Sequence, residues 1–448
     1  MQRHTDGAAT IDTIRQAAIP LHDRQPDWNA LLETIGDARF VLIGEASHGT
    51  HEFYDMRAEI TKRLIADHGF SAVVAEADWP DAYRVNCFVR GAGDDATAND
   101  ALSGFRRFPA WMWRNRVVEE FVTWLRDHNV GVGDHRQHVG FYGMDLYSLS
   151  ASIEAVIGYL NAVDPEAALR AQERYSCFEI FNHDPETYGY ATSSGTAEDC
   201  EDAVIEQLSE MQRRGNFLGG GGTLADDNAF AAAQNALLVK NAEKYYRSMF
   251  RGGNSSWNLR DRHMVETITS LADHLGRYGN EPKIVVWAHN SHLGDARATE
   301  MGRDGQWNVG QLVRERWSDA AFLLGFSTHS GTVTAATDWG DAAQTKTVQP
   351  SLPDSYERLF HDTGVGRFLL NIRDNERVHA TLHEERLERA IGVIYRPQSE
   401  RLSHYFFADL STQFDALIHI DETRALEPLE PNAPMLEHEL PETYPSTV

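Results

Sequence analysis

Arg39-Phe40-Val41-Leu42-Ile43-Gly44-Glu45-Ala46-Ser47-His48-Gly49-Thr50-His51-Glu52-Phe53 decides the reading of this chain. Four apolar residues run into a glycine, Glu45 and His48 fall within one short turn, and a helical pattern follows with Thr50 placed to cap it. A buried strand ending in a carboxylate and an imidazole, just ahead of a helix N-terminus, is a common way to build a site in an α/β protein. Ligands of such sheets sit beyond the carboxyl ends of the strands.

The same arrangement recurs outward from this stretch. The first strand is expected at 39–44, after amphipathic helix within 8–38 (Ile11, Ile14, Ala18, Leu31, Leu32, Ile35). Phe53, Met56, Ile60, Leu64 and Ile65 recur at helical spacing, and Gly69 stops that helix. A second strand at 71–75 runs into Glu76 and Asp78, and a helix carrying Tyr83, Asn86 and Phe88 follows Pro80. A third, 138–143, ends in Met144-Asp145; a fourth, 283–288, runs into His289-Asn290-Ser291-His292. Strand, helix and strand at this spacing imply a βαβ unit and parallel pairing. Further strands are expected at 320–326, 332–337, 367–372, 390–395 and 414–420.

Residues 148–280 read as helix throughout, interrupted by polar glycine-containing stretches near 188–195 and 214–222. The Gly219–Gly222 run lacks a strand before it and a Walker lysine after it. It reads as a mobile loop, with a lid as one use, rather than a phosphate cradle. The expected fold is therefore α/β: a central, mostly parallel sheet flanked by helices, with a helical subdomain inserted. The expected divisions are 1–147 and 281–426 for the core, 148–280 for the helical insertion, and 427–448 for an acidic, proline-rich tail.

Composition sets the class. The 448 residues are 42% hydrophobic and 24% charged, as in a soluble globular protein. No apolar run approaches a membrane span, and the polar N-terminus lacks the apolar segment of a secretion signal. Cys87, Cys177 and Cys200 are too few and too scattered for a disulfide framework or a zinc site, which points to a reducing cytoplasm. A net charge of −26 argues against nucleic acid and anionic membranes as partners. Five lysines against 36 arginines fit a high-salt cytoplasm, where ions screen the self-repulsion, or equally a GC-rich genome.

Glu45, His48, Glu76, Asp145, His289 and His292 all fall where a parallel sheet would end. Carboxylates and histidines at four strand ends suggest one shared polar pocket, because unpaired buried charges are costly. A Ser47 nucleophile fits poorly: the elbow is Gly-x-Ser-x-Gly, and Gly44 and Ser47 are one residue too far apart. His289-x-x-His292 has a spacing metals accept, with Glu45, His48 and Glu76 as further ligands; hydrogen-bonded loop histidines are the plainer alternative. The third option is a histidine base acting on water, its tautomer held by Glu45 or Glu76, while a second histidine polarises a carbonyl. On spacing alone Arg57 reads as a helix-face salt-bridge residue. Phe108, Trp111 and Trp113 in Phe105–Arg114 suit either an apolar substrate pocket or core packing.

These segments resemble the erythromycin esterase family. The resemblance rests on Gly44–Phe53, Arg57, Val74-Ala75-Glu76, Tyr83–Gly91, Phe108–Arg114, Gly143-Met144-Asp145, Asn258–Met264, Trp287–His292 and Phe414–Asp421, nearly the whole chain in order. It implies an α/β fold with a helical subdomain closing over a cleft, and an esterase that opens macrolide lactones by attack of water. The position of His48 is then the general base, and Glu45, Arg57, Glu76, His289 and His292 complete the catalytic set. Asp145, Phe108, Trp111 and Trp113 are candidate substrate contacts. The expected partner is a small ester or lactone, with no cofactor required. A metal- or haem-binding protein without turnover, using the same histidines, is the alternative.

Overall fold

A computed structural model describes residues 2–21, 26–181, 184–217, 224–250, 254–277 and 281–430. Eleven strands occur among them: β1 Ile19–Pro20, β2 Phe40–Ile43, β3 Ala72–Asp78, β4 Gly140–Asp145, β5 Ile284–Trp287, β6 Ala321–Ala335, β7 Gln344–Val348, β8 Arg367–Asn371, β9 Arg386–Arg389, β10 Tyr405–Ala408 and β11 Ala416–Thr423. The class is α/β, with a mostly parallel sheet flanked by helices. The chain forms two compact units, one of residues 1–70, 105–121 and 283–448, the other of 71–104 and 122–282.

In the first unit the strand order is β1-β8-β11-β6-β2-β5, with β7 on β6. β11, β6, β2 and β5 are mutually parallel; β1, β7 and β8 pair antiparallel. Phe40, Val41, Leu42 and Ile43 are wholly buried, because a central parallel strand has both faces covered. Each such side chain contributes roughly 1.5–3 kcal/mol of transfer free energy. Ile43 pairs with both Trp287 and Leu324, so the segments after β2 and β5 leave the sheet side by side. That register is what brings Glu45 next to His289.

The helix His51–His68 follows, ended by Gly69 in the left-handed conformation at φ 71°. Thr50 precedes it in extended geometry, but its side chain makes no cap bond. Its hydroxyl is hydrogen-bonded to that of Ser47 instead, which corrects the expected cap. The expected strands 320–326 and 332–337 are one continuous strand, β6, because its polar middle (Ser327 to Gly331) still pairs with β11. Residues 390–395 are not a strand. The flanking β9 and β10 pair instead, while Ile391 bridges to Ser47 and Ile394 to Ala336.

In the second unit β3 and β4 pair in parallel, with a bulge between Ala75 and Asp78. Around them are helices that include Trp79–Val89, Leu149–Val163, Pro165–Tyr175, Glu201–Phe217, Leu224–Met249 and Ser255–Gly276. The segment expected as helix without strand, 148–280, holds no strand among the described residues. The helix Pro185–Ser193 was not anticipated: it occupies the polar stretch expected as irregular, started by Asp184 accepting from the Glu186 and Thr187 amides. Cys177 and Cys200 are disulfide-bonded, their Cα atoms 6.1 Å apart. The cysteines were expected to be too few and too scattered for a disulfide framework; one pair nonetheless meets across a sequence separation of 23. Cys87 is free. The Gly219–Gly222 loop and residues 431–448 of the tail lie outside the described residues. No described helix is long and apolar enough to cross a membrane.

Candidate active site

The first unit gathers Glu45, His48, Arg57 and His289 at the ends of β2 and β5. Glycines make the turn possible. A Cβ on Gly44 would lie 2.2 Å from Asn290 Oδ1, and one on Gly49 would lie 1.8 Å from the Thr334 carbonyl oxygen. Other chain segments then fix the loop. Ile391 N–H donates to the Ala46 carbonyl (2.9 Å), and His48 N–H donates to the Ile391 carbonyl (3.2 Å). Asn290 N–H donates to the Glu45 carbonyl at 2.8 Å, and Leu426 N–H to that of Gly49 at 2.8 Å.

Glu45 is 1% exposed and divides its carboxylate between two partners. Oε1 lies 2.9 Å from His48 Nδ1 and Oε2 lies 3.3 Å from Arg57 Nη1. A carboxylate only accepts, so in this contact Nδ1 of His48 is the donor. Arg57 is wholly buried, its guanidinium carbon 4.4 Å from the Tyr54 ring centre and 4.8 Å from that of Trp287. Two aromatic faces and one carboxylate compensate its charge. Arg57 is therefore no helix-face salt-bridge residue: it closes the back of the site.

The His48 and His289 rings lie 4.8 Å apart, centre to centre. His289 is the N-cap of the short helix Asn290–Leu293, and its Nδ1 accepts from the Ser291 N–H at 3.2 Å. His292, two per cent exposed, sits inside that helix, its N–H on the His289 carbonyl. Among the described residues no group of three or more His, Cys, Asp or Glu side chains is arranged to hold a metal ion.

The second unit contains Glu76 and Asp145, near the ends of neighbouring strands β3 and β4. Arg260, from the helix Ser255–Gly276, takes both. Its Nε and Nη2 meet the two Asp145 oxygens at 3.0 and 2.7 Å, and Nη2 also reaches Glu76 Oε1 at 2.8 Å. The Tyr147 ring lies 4.8 Å from the guanidinium carbon. A two-pronged guanidinium bond to a carboxylate is strong and directional, and all three charged groups are buried. Sequence reading passed over Arg260. Two buried acids on adjacent strands call for a cation, and the segment Asn258–Met264 supplies it. In the same helix, burial pushes the His263 imidazole down to about 4.

Phe108, Trp111 and Trp113 are buried in the first unit. Phe108 meets Trp339 edge-on at 4.6 Å, and Trp113 lies 6.2 Å from Phe105. Residues 427–430 strap this segment: Arg116 N–H donates to the Glu427 carbonyl, Leu429 N–H to that of Arg114, and Arg114 pairs with Glu430.

Comparison with known proteins adds the family. The erythromycin esterase family profile matches residues 65–423. Erythromycin esterase type II of Escherichia coli is 22% identical over 432 residues, covering 90% of this chain and 94% of that one. Among crystal structures, a Bacillus cereus protein superposes with a TM-score of 0.78 at 19% identity, over 94% of this chain and 99% of its own. A mutant of erythromycin esterase EreC in its open conformation gives 0.61 at 17% identity, over 92% and 96%.

Proposed function

The chain belongs to the erythromycin esterase family, and from that membership we propose a hydrolase of carboxylic esters or lactones in which His48 activates water directly. The observation that carries this reading is the contact between His48 Nδ1 and Glu45 Oε1 at 2.9 Å. It leaves Nε2 as the basic atom and places a carboxylate to stabilise the imidazolium.

In the proposed reaction, water attacks the ester carbonyl carbon as its proton passes to His48 Nε2. The carbonyl electron pair moves onto oxygen, where a hydrogen bond from His289 stabilises the charge. The intermediate collapses with cleavage of the carbon–alkoxide bond, and His48 returns its proton to the departing alkoxide. The products are a carboxylic acid and an alcohol, which for a lactone are one opened chain. No acyl-enzyme forms and no group beyond this chain's residues takes part. The roles of Glu76 and His292 rest on the family resemblance; Asp145, Phe108, Trp111 and Trp113 are proposed as substrate contacts from their residue type and place in the sequence. The name of the Escherichia coli relative makes a macrolide lactone the proposed substrate class.

Mass spectrometry of macrolides and simpler lactones after incubation, beside the His48→Ala protein, tests this. The expected result is a gain of one water, with the rate reduced about 10²–10⁴-fold in the variant. A well-folded His48→Ala protein that keeps its rate removes His48 as the base. Hydrolysis of simple lactones but no macrolide moves the substrate and leaves the chemistry.

A further inference from the structure

His48 and His289 face each other with their Nδ1 atoms bound in opposite senses. His48 Nδ1 meets a carboxylate, which can only accept. His289 Nδ1 meets the main-chain N–H of Ser291 at 3.2 Å, which can only donate. The Ser291 hydroxyl lies 2.8 Å from the same nitrogen. Because the N–H already requires Nδ1 to accept, the hydroxyl must donate as well. The hydrogen bond at one ring nitrogen decides which nitrogen holds the proton. His48 is therefore the Nδ1–H tautomer and His289 the Nε2–H tautomer.

From this geometry we propose that Ser291 is a positioning residue that holds His289 as a neutral Nε2–H donor, so that the two histidines act as base and electrophile. The inference rests on the hydrolase reading above for its chemistry, but not for the tautomer. Ser291 is itself anchored: it is 7% exposed, and its carbonyl accepts from Asn308 Nδ2 at 2.8 Å. Asn308 in turn caps the helix Val309–Trp317. His289 Nδ1 thus forms part of the cap of its own helical turn, and protonating it would set an N–H against the Ser291 N–H. A ring kept neutral, with its one proton on Nε2, suits donation to an ester carbonyl oxygen as charge builds there. It is unsuited to taking a proton from water, which leaves that task to His48.

The test is the imidazole nitrogen spectrum of the full-length protein labelled with ¹⁵N-histidine. His289 resonances are assigned by their loss in His289→Gln, and kinetics are measured on whichever ester the protein hydrolyses. The expected signature is an unprotonated Nδ1 and a protonated Nε2 for His289, with the reverse for His48. Ser291→Asp puts an acceptor at Nδ1 and is expected to move the proton there. It should lower kcat about 100-fold, with KM within a few-fold, as for loss of one oxyanion donor. Ser291→Thr keeps the hydroxyl and should restore both the signature and the rate. A native His289 protonated on Nδ1, or a Ser291→Asp protein with unchanged kcat, overturns the assignment. The spectrum needs no substrate. Correct tautomers without turnover on any ester would defeat the hydrolase reading alone; turnover with the wrong tautomer would defeat this one alone.

Discussion

Arg260 shows how much one side chain can hold. Asp145 and Glu76 are both buried, and the fork of Arg260 joins them from a helix 115 residues beyond Asp145. Removing one partner of a buried ion pair leaves the other charged and desolvated, at a cost of roughly 3–5 kcal/mol. Arg260→Met should therefore lose about that much stability in urea denaturation, with part regained on adding Asp145→Asn. A loss under about 1 kcal/mol would mean that the carboxylates do not depend on this guanidinium. At this scale the legible part of the site was the local part. Glu45 and His48 are three residues apart on one turn, so their contact follows from chain geometry. Arg57 escaped, because spacing along a helix does not say which face is covered.

Glu388 belongs to the scale of elements. It lies in β9, which lines up with β10, and the chain continues directly to Ile391, whose main chain holds Ala46 and His48. Burial, reinforced by the neighbouring Glu357 carboxylate, pushes its pKa up to about 8. Glu357 is raised too, while Arg389, next in β9, pulls it back. A carboxyl raised in the folded state is most stabilising while protonated in both states. That contribution is fully present below the unfolded value of 4.5 and is lost as pH rises toward 8. Raising a pKa by one pH unit on folding corresponds to roughly 1.4 kcal/mol. Glu388→Gln, neutral at every pH, should thus show a flatter fall in Tm between about pH 5 and 8 than the parent. Parallel curves would show that Glu388 does not titrate in this range. The elements were unevenly legible. The helix His51–His68 matches its apolar spacing and glycine stop, whereas β9 and β10 were missed. Their charged and aromatic residues carry no alternating pattern, and the more apolar stretch after β9 has the look of a strand.

For the whole molecule, charge and cross-linking are the properties that the sequence states or conceals. A net charge of −26 repels itself, and added salt screens that repulsion. The Tm should rise from low to molar potassium chloride; a flat or falling midpoint would remove the high-salt reading of the lysine-poor composition. The Cys177–Cys200 bond was not legible, because three cysteines in a long chain do not announce a pair. By itself the sequence determined the α/β class, the parallel central strands and the presence of Glu45, His48 and His289 at strand ends. Hydrophobic periodicity and glycine placement act over a few residues and can be read in order. The tertiary structure alone decided that Arg260 joins Glu76 and Asp145, that Arg57 lies between Tyr54 and Trp287, and that His48 Nδ1 meets Glu45 while His289 Nδ1 meets Ser291. Those outcomes depend on which atom meets which across a packed interior, where burial makes each partner obligatory and chain distance says nothing about it.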